Sequence, residues 1–276
     1  MPTRSFSQQH IVITGGSAGI GLEMARCFAA EGARLSLLAR DTAKLDAACA
    51  QIAEAGGAAR GFSCDVTDAT AVQRAFDAAC EHFGSPQGII ANSGYCQPGR
   101  FDAMSPADLE RQIGTNVLGV CYTLREGLPR IEAGGGGFAA VTSSPGGSLG
   151  IYGFGPYGAS KAALNNLFHA LRQEYADRPV TLHLLLPPDT DTPGYAQEQQ
   201  QYPAETRAIL AGGRLYPPDV VARKLVAGIR RGRTTIAAGY ESVAGCWAAR
   251  LAPMGWEWYC RRTIDKCRRA REHKGE

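Results

Sequence analysis

The stretch His10-Ile11-Val12-Ile13-Thr14-Gly15-Gly16-Ser17-Ala18-Gly19-Ile20-Gly21 decides the fold. Its first five residues form a short β-favouring run, the length of one buried strand. Glycines follow at once, and Ala18 to Glu31 then reads as a helix. In a strand-to-helix turn, glycines let backbone amides approach a pyrophosphate, while the helix N-terminus favours its negative charge. The turn therefore predicts a dinucleotide site built from Gly15, Ser17, Gly19, Ile20 and Gly21. An ordinary glycine-rich turn has the same composition, and it is the position directly after a strand that favours binding.

Outward from this turn, short β-favouring runs alternate with longer helical ones. The strand candidates are Ala33 to Ala39, Gly61 to Cys64, Gly88 to Ala91, Phe138 to Thr142, Val180 to Leu186 and Thr234 to Ala237. The helix candidates between them are Thr42 to Ala55, with Thr42 as its cap, Ala69 to Phe83, Pro106 to Arg130 and Pro156 to Ala176. This alternation predicts an α/β fold, a single doubly wound Rossmann-type domain whose parallel sheet has helices on both faces. The predicted division is a nucleotide-binding domain over 1–240 and a helical extension over 241–276.

The second strand ends in Ala39-Arg40, where dinucleotide folds commonly place an acidic residue on the ribose 2′-hydroxyl. A carboxylate would repel a 2′-phosphate, whereas a guanidinium pairs with it bidentately. NADPH is the expected cofactor. The alternative is that Arg40 is a solvated charge at a strand end.

Tyr157 and Lys161 are four residues apart at the start of a predicted helix and so share a face. A neighbouring ammonium stabilises a phenolate, which predicts a lowered pKa and a usable proton donor at Tyr157. The same spacing also arises by chance as an exposed pair.

Together these motifs resemble the short-chain dehydrogenase/reductase family over roughly residues 8 to 240. The glycine loop matches its Thr-Gly-x-x-x-Gly-x-Gly, and Tyr157 with Lys161 matches its Tyr-x-x-x-Lys. Ser144 lies thirteen residues before the tyrosine, where the family keeps a catalytic serine, and Asn116 matches its helix asparagine. The resemblance implies that Ser144 orients a substrate carbonyl, Tyr157 protonates it, Lys161 holds the nicotinamide ribose, and Asn116 holds a water that relays protons. It also implies cofactor contacts from Asp65, Val66, Asn92, Gly94, Thr190 and Thr192, besides Tyr157 and Lys161, and a homodimer or homotetramer formed through the helices bearing Asn116 and Tyr157. The sequence departs from the family pattern at Ala91-Asn92-Ser93-Gly94, where only Asn92 and Gly94 are kept. A second departure is Pro187-Pro188, which replaces a Pro-Gly pair and removes a backbone donor.

Within that family, Pro187-Pro188-Asp189-Thr190-Asp191-Thr192-Pro193-Gly194 resembles the corresponding loop of the 3-ketodihydrosphingosine reductases. Leu38-Ala39-Arg40, Glu205-Thr206-Arg207 and Pro217 to Ala222 support the narrower likeness. The resemblance implies reduction of the 3-keto group of a long-chain 2-amino ketone in sphingolipid synthesis. Asp189 or Asp191 is then placed to bind the ammonium beside the ketone, unless these aspartates cap turns or the following helix. The alternatives are another reductase, acting on a carrier-bound 3-ketoacyl chain, a steroid or a small alcohol, and a non-enzymatic dinucleotide-binding protein.

Nine cysteines, an odd number with no Cys-x-x-Cys pair, argue against a disulfide framework, and the five scattered histidines suggest no metal site. Met1 to Gln9 lacks the apolar run of a signal peptide, which predicts a cytoplasmic protein. The formal net charge of +3 is too small to imply nucleic acid, but it is uneven, because Arg250 to Glu276 holds eight Lys/Arg against four Asp/Glu. All three tryptophans fall in one twelve-residue stretch, Trp247 to Trp258, ahead of the arginine cluster that begins at Arg261, and Trp247, Leu251, Met254 and Trp258 recur at helical spacing. Such a stripe predicts peripheral contact with a membrane, or else a lid over the cleft or a subunit interface. Pro253 and Gly255 are expected to break the helix, and Glu241, Arg250 and Glu257 exclude a membrane span.

Overall fold

In this computed structural model, residues 4–272 are described, with 241, 242, 248 and 249 in backbone only. The chain runs β1 (His10–Thr14), α1 (Gly19–Ala29), β2 (Arg34–Ala39), α2 (Thr42–Glu54), β3 (Ala58–Ser63), α3 (Ala69–Phe83) and β4 (Gly88–Ala91). It continues through α4 (Pro106–Ile113), α5 (Gly119–Ala133), β5 (Gly137–Thr142), α6 (Gly155–Glu174), β6 (Val180–Leu186), α7 (Pro193–Gln200) and α8 (Ala204–Leu210). The last elements are α9 (Pro218–Arg230), β7 (Thr235–Ala237), α10 (Tyr240–Leu251) and α11 (Pro253–Glu272).

The strands form one parallel sheet in the order β3-β2-β1-β4-β5-β6-β7. The doubly wound expectation is met. Strand order reverses between β1 and β4, which pair directly with Val12 opposite Ile89. Carboxyl ends of strands open into a crevice at such a reversal, and ligands bind there. Every residue of β1 and β4 is buried, as a central parallel strand covered on both faces requires. On one face Met24 and Phe28 of α1, Leu45 and Ile52 of α2, and Leu225 and Ile229 of α9 close the core. Phe76 of α3, Leu124 and Leu128 of α5, and Leu164 and Phe168 of α6 close the other. Each such side chain contributes roughly 1.5–3 kcal/mol by leaving water.

Several boundaries differ from the sequence reading for identifiable reasons. Asp41, not Thr42, caps α2, its carboxylate accepting from the Lys44 amide at 3.1 Å. Strand β3 begins at Ala58 rather than Gly61 because its outer position is fixed by pairing with β2, Arg34 opposite Ala58, and not by an apolar run. The helix expected over Pro106 to Arg130 is interrupted by a π-helical turn over Gly114–Leu118. It then continues past Arg130 to Ala133. Such turns insert an extra residue and are frequent at functional sites. Helix α9 was not expected, although Pro218 at its start and buried Val221, Ala222, Leu225 and Ile229 mark an amphipathic helix.

All nine cysteines are free thiols. His10 and His183 are core residues: burial pulls both down to about 4, and His10 bridges the Gly84 carbonyl at 2.7 Å and the Ser36 hydroxyl at 2.8 Å.

Beyond β7 the chain folds back. It breaks at Ala252, Pro253 opens α11, and Gly255 lies within that helix rather than ending it. The Trp256 indole donates to the Gly150 carbonyl at 2.9 Å, and the Cys246 thiol reaches the Pro145 carbonyl at 3.6 Å. An ion pair of 3.5 Å between Arg268 and Glu205 ties α11 to α8. Trp247, Leu251, Met254 and Trp258 all face solvent, 58 to 82% exposed. No helix of the described residues is long and apolar enough to cross a membrane. Met1 to Thr3, and His273, Lys274 and Glu276 of the basic segment, lie outside the described residues, as does the side chain of Glu241.

Candidate active site

A cleft of about 810 Å³ opens at the carboxyl ends of the central strands. Its nucleotide end is the turn after β1. Gly15 and Gly19 take positive φ values of +66° and +55°, which side chains other than glycine rarely adopt. A Cβ on Gly21 would meet the Gly15 carbonyl oxygen at 2.2 Å and the Asn92 amide nitrogen at 2.7 Å. No side chain caps α1, and no acidic residue lies in its first turn, so its leading amides are left for an anion. This cradle fits a pyrophosphate.

Asn92 holds the turn in place. Its amide donates to the Thr14 and Gly15 carbonyls at 3.3 and 3.5 Å, and its oxygen accepts from the Thr142 hydroxyl at 3.2 Å. The ends of β1, β4 and β5 are thereby joined through one side chain. Arg40 is exposed, lines the cleft and has no ion-pair partner among the described residues. Arg111, which the sequence did not single out, lines it too, stacked 4.0 Å over the Tyr95 ring.

Gly15, Gly19, Ile20, Arg40, Asn92, Gly94, Ser144, Tyr157, Lys161, Thr190 and Thr192 come together in the cleft wall. Ser17, Gly21, Asp65, Val66 and Asn116 lie outside that wall. Gly21 is packed behind the turn. Val66 packs on Gly119, where a Cβ would meet its methyl at 2.7 Å. The Asp65 carboxylate is turned to the Thr67 amide and hydroxyl at 2.9 and 2.8 Å. Burial pushes the Asp65 pKa up, but these bonds, with Arg40 and Arg111 nearby, hold it below its ordinary value.

Asn116, in the π-helical turn, is fully buried. Both its amide donors are committed, to the Tyr95 carbonyl at 2.8 Å and the Ser160 hydroxyl at 2.9 Å, while its oxygen accepts from the Tyr95 amide at 2.7 Å. Its side chain therefore fixes Tyr95 against α6 and has no donor left for a water.

Ser144, Tyr157 and Lys161 converge where β5 and α6 meet. Ser144 hydrogen-bonds to Tyr157 and accepts from the Gly146 amide at 3.1 Å. The adjacent Ser143 instead bonds to Asn165 at 2.7 Å and belongs to the packing. The Lys161 ammonium donates to the Thr142 carbonyl at 3.0 Å and lies 5.8 Å from the Tyr157 ring centroid. Burial holds Lys161 down at about 8.

Tyr157 corrects the sequence reading. Burial, with Cys96 as a second cause, pushes its phenol above the ordinary value, and the Ser144 hydrogen bond pulls only partly back. The lowering expected from Lys161 is not found. A raised phenol stays protonated at neutral pH, which is the state a proton donor needs.

The far side of the cleft is closed by the loop after β6. Thr192 caps α7, accepting from the Tyr195 amide at 3.2 Å, and its methyl lies 3.1 Å from where a Gly19 Cβ would stand. Thr190 is buried and donates to the Pro188 carbonyl at 2.7 Å. Asp189 faces the cleft, whereas Asp191 is exposed and outside it. Glu198, Tyr195 and Tyr202 also line the cleft, and the sequence reading missed them because it singled out nothing between Gly194 and Pro203. The signal available was Thr192-Pro193, a cap followed by proline at the first helical position.

Residues 9–203 match the short chain dehydrogenase family. The chain belongs to that family. As a short-chain dehydrogenase/reductase it is an oxidoreductase, and the family uses NAD(P)(H). It is 37% identical to the 3-dehydrosphinganine reductase TSC10A of Arabidopsis thaliana, over 84% of this chain and 72% of that one. It is 34% identical to the 3-ketodihydrosphingosine reductase of Bos taurus, over 79% of this chain and 67% of the relative. Among solved structures it resembles a short-chain dehydrogenase/reductase of Burkholderia phymatum in complex with NAD. That match has a TM-score of 0.82 at 26% identity and covers 90% of this chain and 95% of the other. An alcohol dehydrogenase of the archaeon Thermococcus sibiricus, complexed with 5-hydroxy-NADP, superposes with a TM-score of 0.72 at 27% identity, covering 83% and 95%.

Proposed function

We propose that this short-chain dehydrogenase/reductase is an NADPH-dependent 3-ketodihydrosphingosine reductase, reducing the 3-keto group of a long-chain 2-amino ketone. The observation that carries the substrate is the 37% identity to TSC10A over most of both chains. The cleft agrees with it, because Asp189 faces the same space as Tyr157 and offers a carboxylate to the ammonium one carbon from the ketone.

NADPH, when bound, would supply the hydride. The chain's own groups would do the rest. The glycine turn would hold the pyrophosphate at the N-terminus of α1, and Arg40, with Ala39 in place of an acid, would favour the 2′-phosphate. Ser144 donates to the ketone oxygen and orients it. Tyr157, kept protonated by burial, delivers its phenolic proton to that oxygen as negative charge develops. Lys161, fixed by its bond to the Thr142 carbonyl, would stabilise the resulting phenolate and hold the nicotinamide ribose.

We also propose that the exposed apolar corner of α10 and α11 rests on a lipid surface at the cytoplasmic face of a membrane, where a long-chain substrate resides. Trp247, Leu251, Met254 and Trp258 supply the apolar contact, and exposed Arg261 and Arg262 supply charge for anionic headgroups. Assembly as a homodimer or homotetramer through α4 to α6 belongs to the same reading, with Ile113 and Leu118 exposed on that side.

NADPH oxidation measured with 3-ketodihydrosphingosine beside a carrier-bound 3-ketoacyl substrate tests the reading. Turnover of the amino ketone that disappears in Tyr157→Phe, with cofactor binding retained, is the expected result. Turnover of the ketoacyl substrate alone overturns it.

A further inference from the structure

Helix α7 brings a second carboxylate to the cleft. Glu198 accepts a hydrogen bond of 2.7 Å from the Tyr202 hydroxyl, four residues on. The Tyr202 ring meets Phe154 edge-on with centroids 5.5 Å apart, and Phe154 lies 5.8 Å from the Tyr157 ring. The Cys96 thiol, from the loop after β4, bonds to the same carboxylate. Glu198 is thus held from two sides, by groups that also border the proton donor.

The charge of this carboxylate is not balanced within the protein. Tyr202 and Cys96 are neutral donors, and neither Glu198 nor Asp189 has an ion-pair partner among the described residues. Burial raises the pKa of both carboxyls, and each lies within electrostatic reach of Tyr157. Two carboxylates facing one partly buried space repel each other and lose solvation, so an apolar keto substrate alone would leave them costly. A cation entering with the substrate relieves both costs at once. The ammonium of a 2-amino ketone sits one carbon from the carbonyl that Tyr157 protonates, and this is the space the two carboxylates border.

We propose that Glu198, held by Tyr202 and Cys96, is a specificity residue that shares with Asp189 the recognition of the substrate's ammonium group. This rests on the amino-ketone reading above and assigns the second half of the ammonium site. It also explains why α7 packs a glutamate toward the cleft when the helix has Gln197, Gln199 and Gln200 at hand. The groups that set the ionisation of Glu198 are Tyr195 and Tyr202 from the α7 segment, Cys96 from the β4 loop, Asp189 from the β6 loop and Tyr157 from α6. An added cation favours the ionised form, so recognition weakens as pH falls and Glu198 takes up its proton.

The test uses the full chain with NADPH, 3-ketodihydrosphingosine and the same ketone lacking the 2-amino group. Glu198→Gln keeps an oxygen for the Tyr202 hydroxyl and removes the charge. The expected result is a fall of roughly 10–100-fold in the ratio of amino-ketone to desamino-ketone kcat/KM, carried mainly by KM. The low-pH limb of the amino-ketone profile should become shallower in the same variant, the titration of Asp189 remaining. Tyr202→Phe, which keeps the carboxylate but loosens it, should lower the ratio by a smaller factor. Equal losses on both ketones, or no change in the ratio, would overturn the role of Glu198. Wild-type protein that reduces only the desamino ketone would overturn the amino-ketone reading itself, so the two failures are separable.

Discussion

The ammonium of Lys161 donates a hydrogen bond of 3.0 Å to the carbonyl oxygen of Thr142, the last residue of β5. This bond fixes the lysine beside Tyr157 at the cost of burying its charge. The folded pKa is held at about 8, below the ordinary 10.5. The unfolded chain therefore binds this proton more tightly. The penalty is complete below about pH 8, and stability rises with pH from there to about 10.5. At pH 7 it is on the order of 3 kcal/mol, partly offset by the hydrogen bond.

Lys161→Met should therefore be more stable than wild type at pH 7, by about 1–2 kcal/mol, while losing nearly all turnover. Thermal melts at pH 7 and pH 10.5 check this. The advantage of the variant should shrink at the higher pH, and a destabilised variant at pH 7 would contradict the burial argument.

The sheet was legible because central parallel strands must be apolar along their whole length, as His10 to Thr14 and Val180 to Leu186 nearly are. The convergence of Ser144, Tyr157 and Lys161 was legible through ordered motifs. What the sequence hid was which side chains are already engaged. The side-chain amide of Asn116 spends both donors on Tyr95 and Ser160, a pairing across 21 and 44 residues that spacing cannot show. Asp189 and Asp191 look equivalent in the chain, and a regular extended segment would put both on one face; the loop is irregular, and it is Asp189 that lines the cleft while Asp191 is exposed. Glu198 lies in a glutamine-rich helix without apolar periodicity, and only its packing against Tyr202 marks it.

Gly21→Ala should cripple the nucleotide end. The added methyl meets the Gly15 carbonyl oxygen at 2.2 Å, and that oxygen is backbone within the turn itself. Overpacking of this kind typically costs about 1–3 kcal/mol, and the turn must open to relieve it. A lowered Tm together with an NADPH Kd weakened by at least about tenfold is the expected pair of results. Calorimetric titration gives the second.

Arg40→Ala should narrow the choice of cofactor. Arg40 is exposed and has no ion-pair partner among the described residues, so its removal disturbs little packing. Losing one charge-assisted pair with a 2′-phosphate costs roughly 1.5–3 kcal/mol, or about 10–100-fold in kcat/KM with NADPH. Values with NADH should move less than about threefold. Equal losses with both cofactors would remove Arg40 from 2′-phosphate recognition.

The corner formed by α10 and α11 separates membrane contact from its competitor, a lid over the cleft. Its inner side is tied to the body through Trp256 and Gly150, Cys246 and Pro145, and Arg268 and Glu205. Truncation at Tyr240 would break all three ties and confuse two effects, so the outer side must be altered alone. Trp247 and Trp258 are 58% and 61% exposed and make no hydrogen bond to the body among the described residues, and replacing both by glutamate adds negative charge beside Arg261 and Arg262. Interfacial binding needs apolar insertion as well as attraction to anionic lipid. The double variant should therefore lose sedimentation with phosphatidylserine-containing vesicles while keeping its Tm. Its turnover of a soluble short-chain amino ketone should stay close to wild type. Undiminished sedimentation would assign this corner to another partner, and a parallel loss of soluble-substrate turnover would mark it as part of the lid.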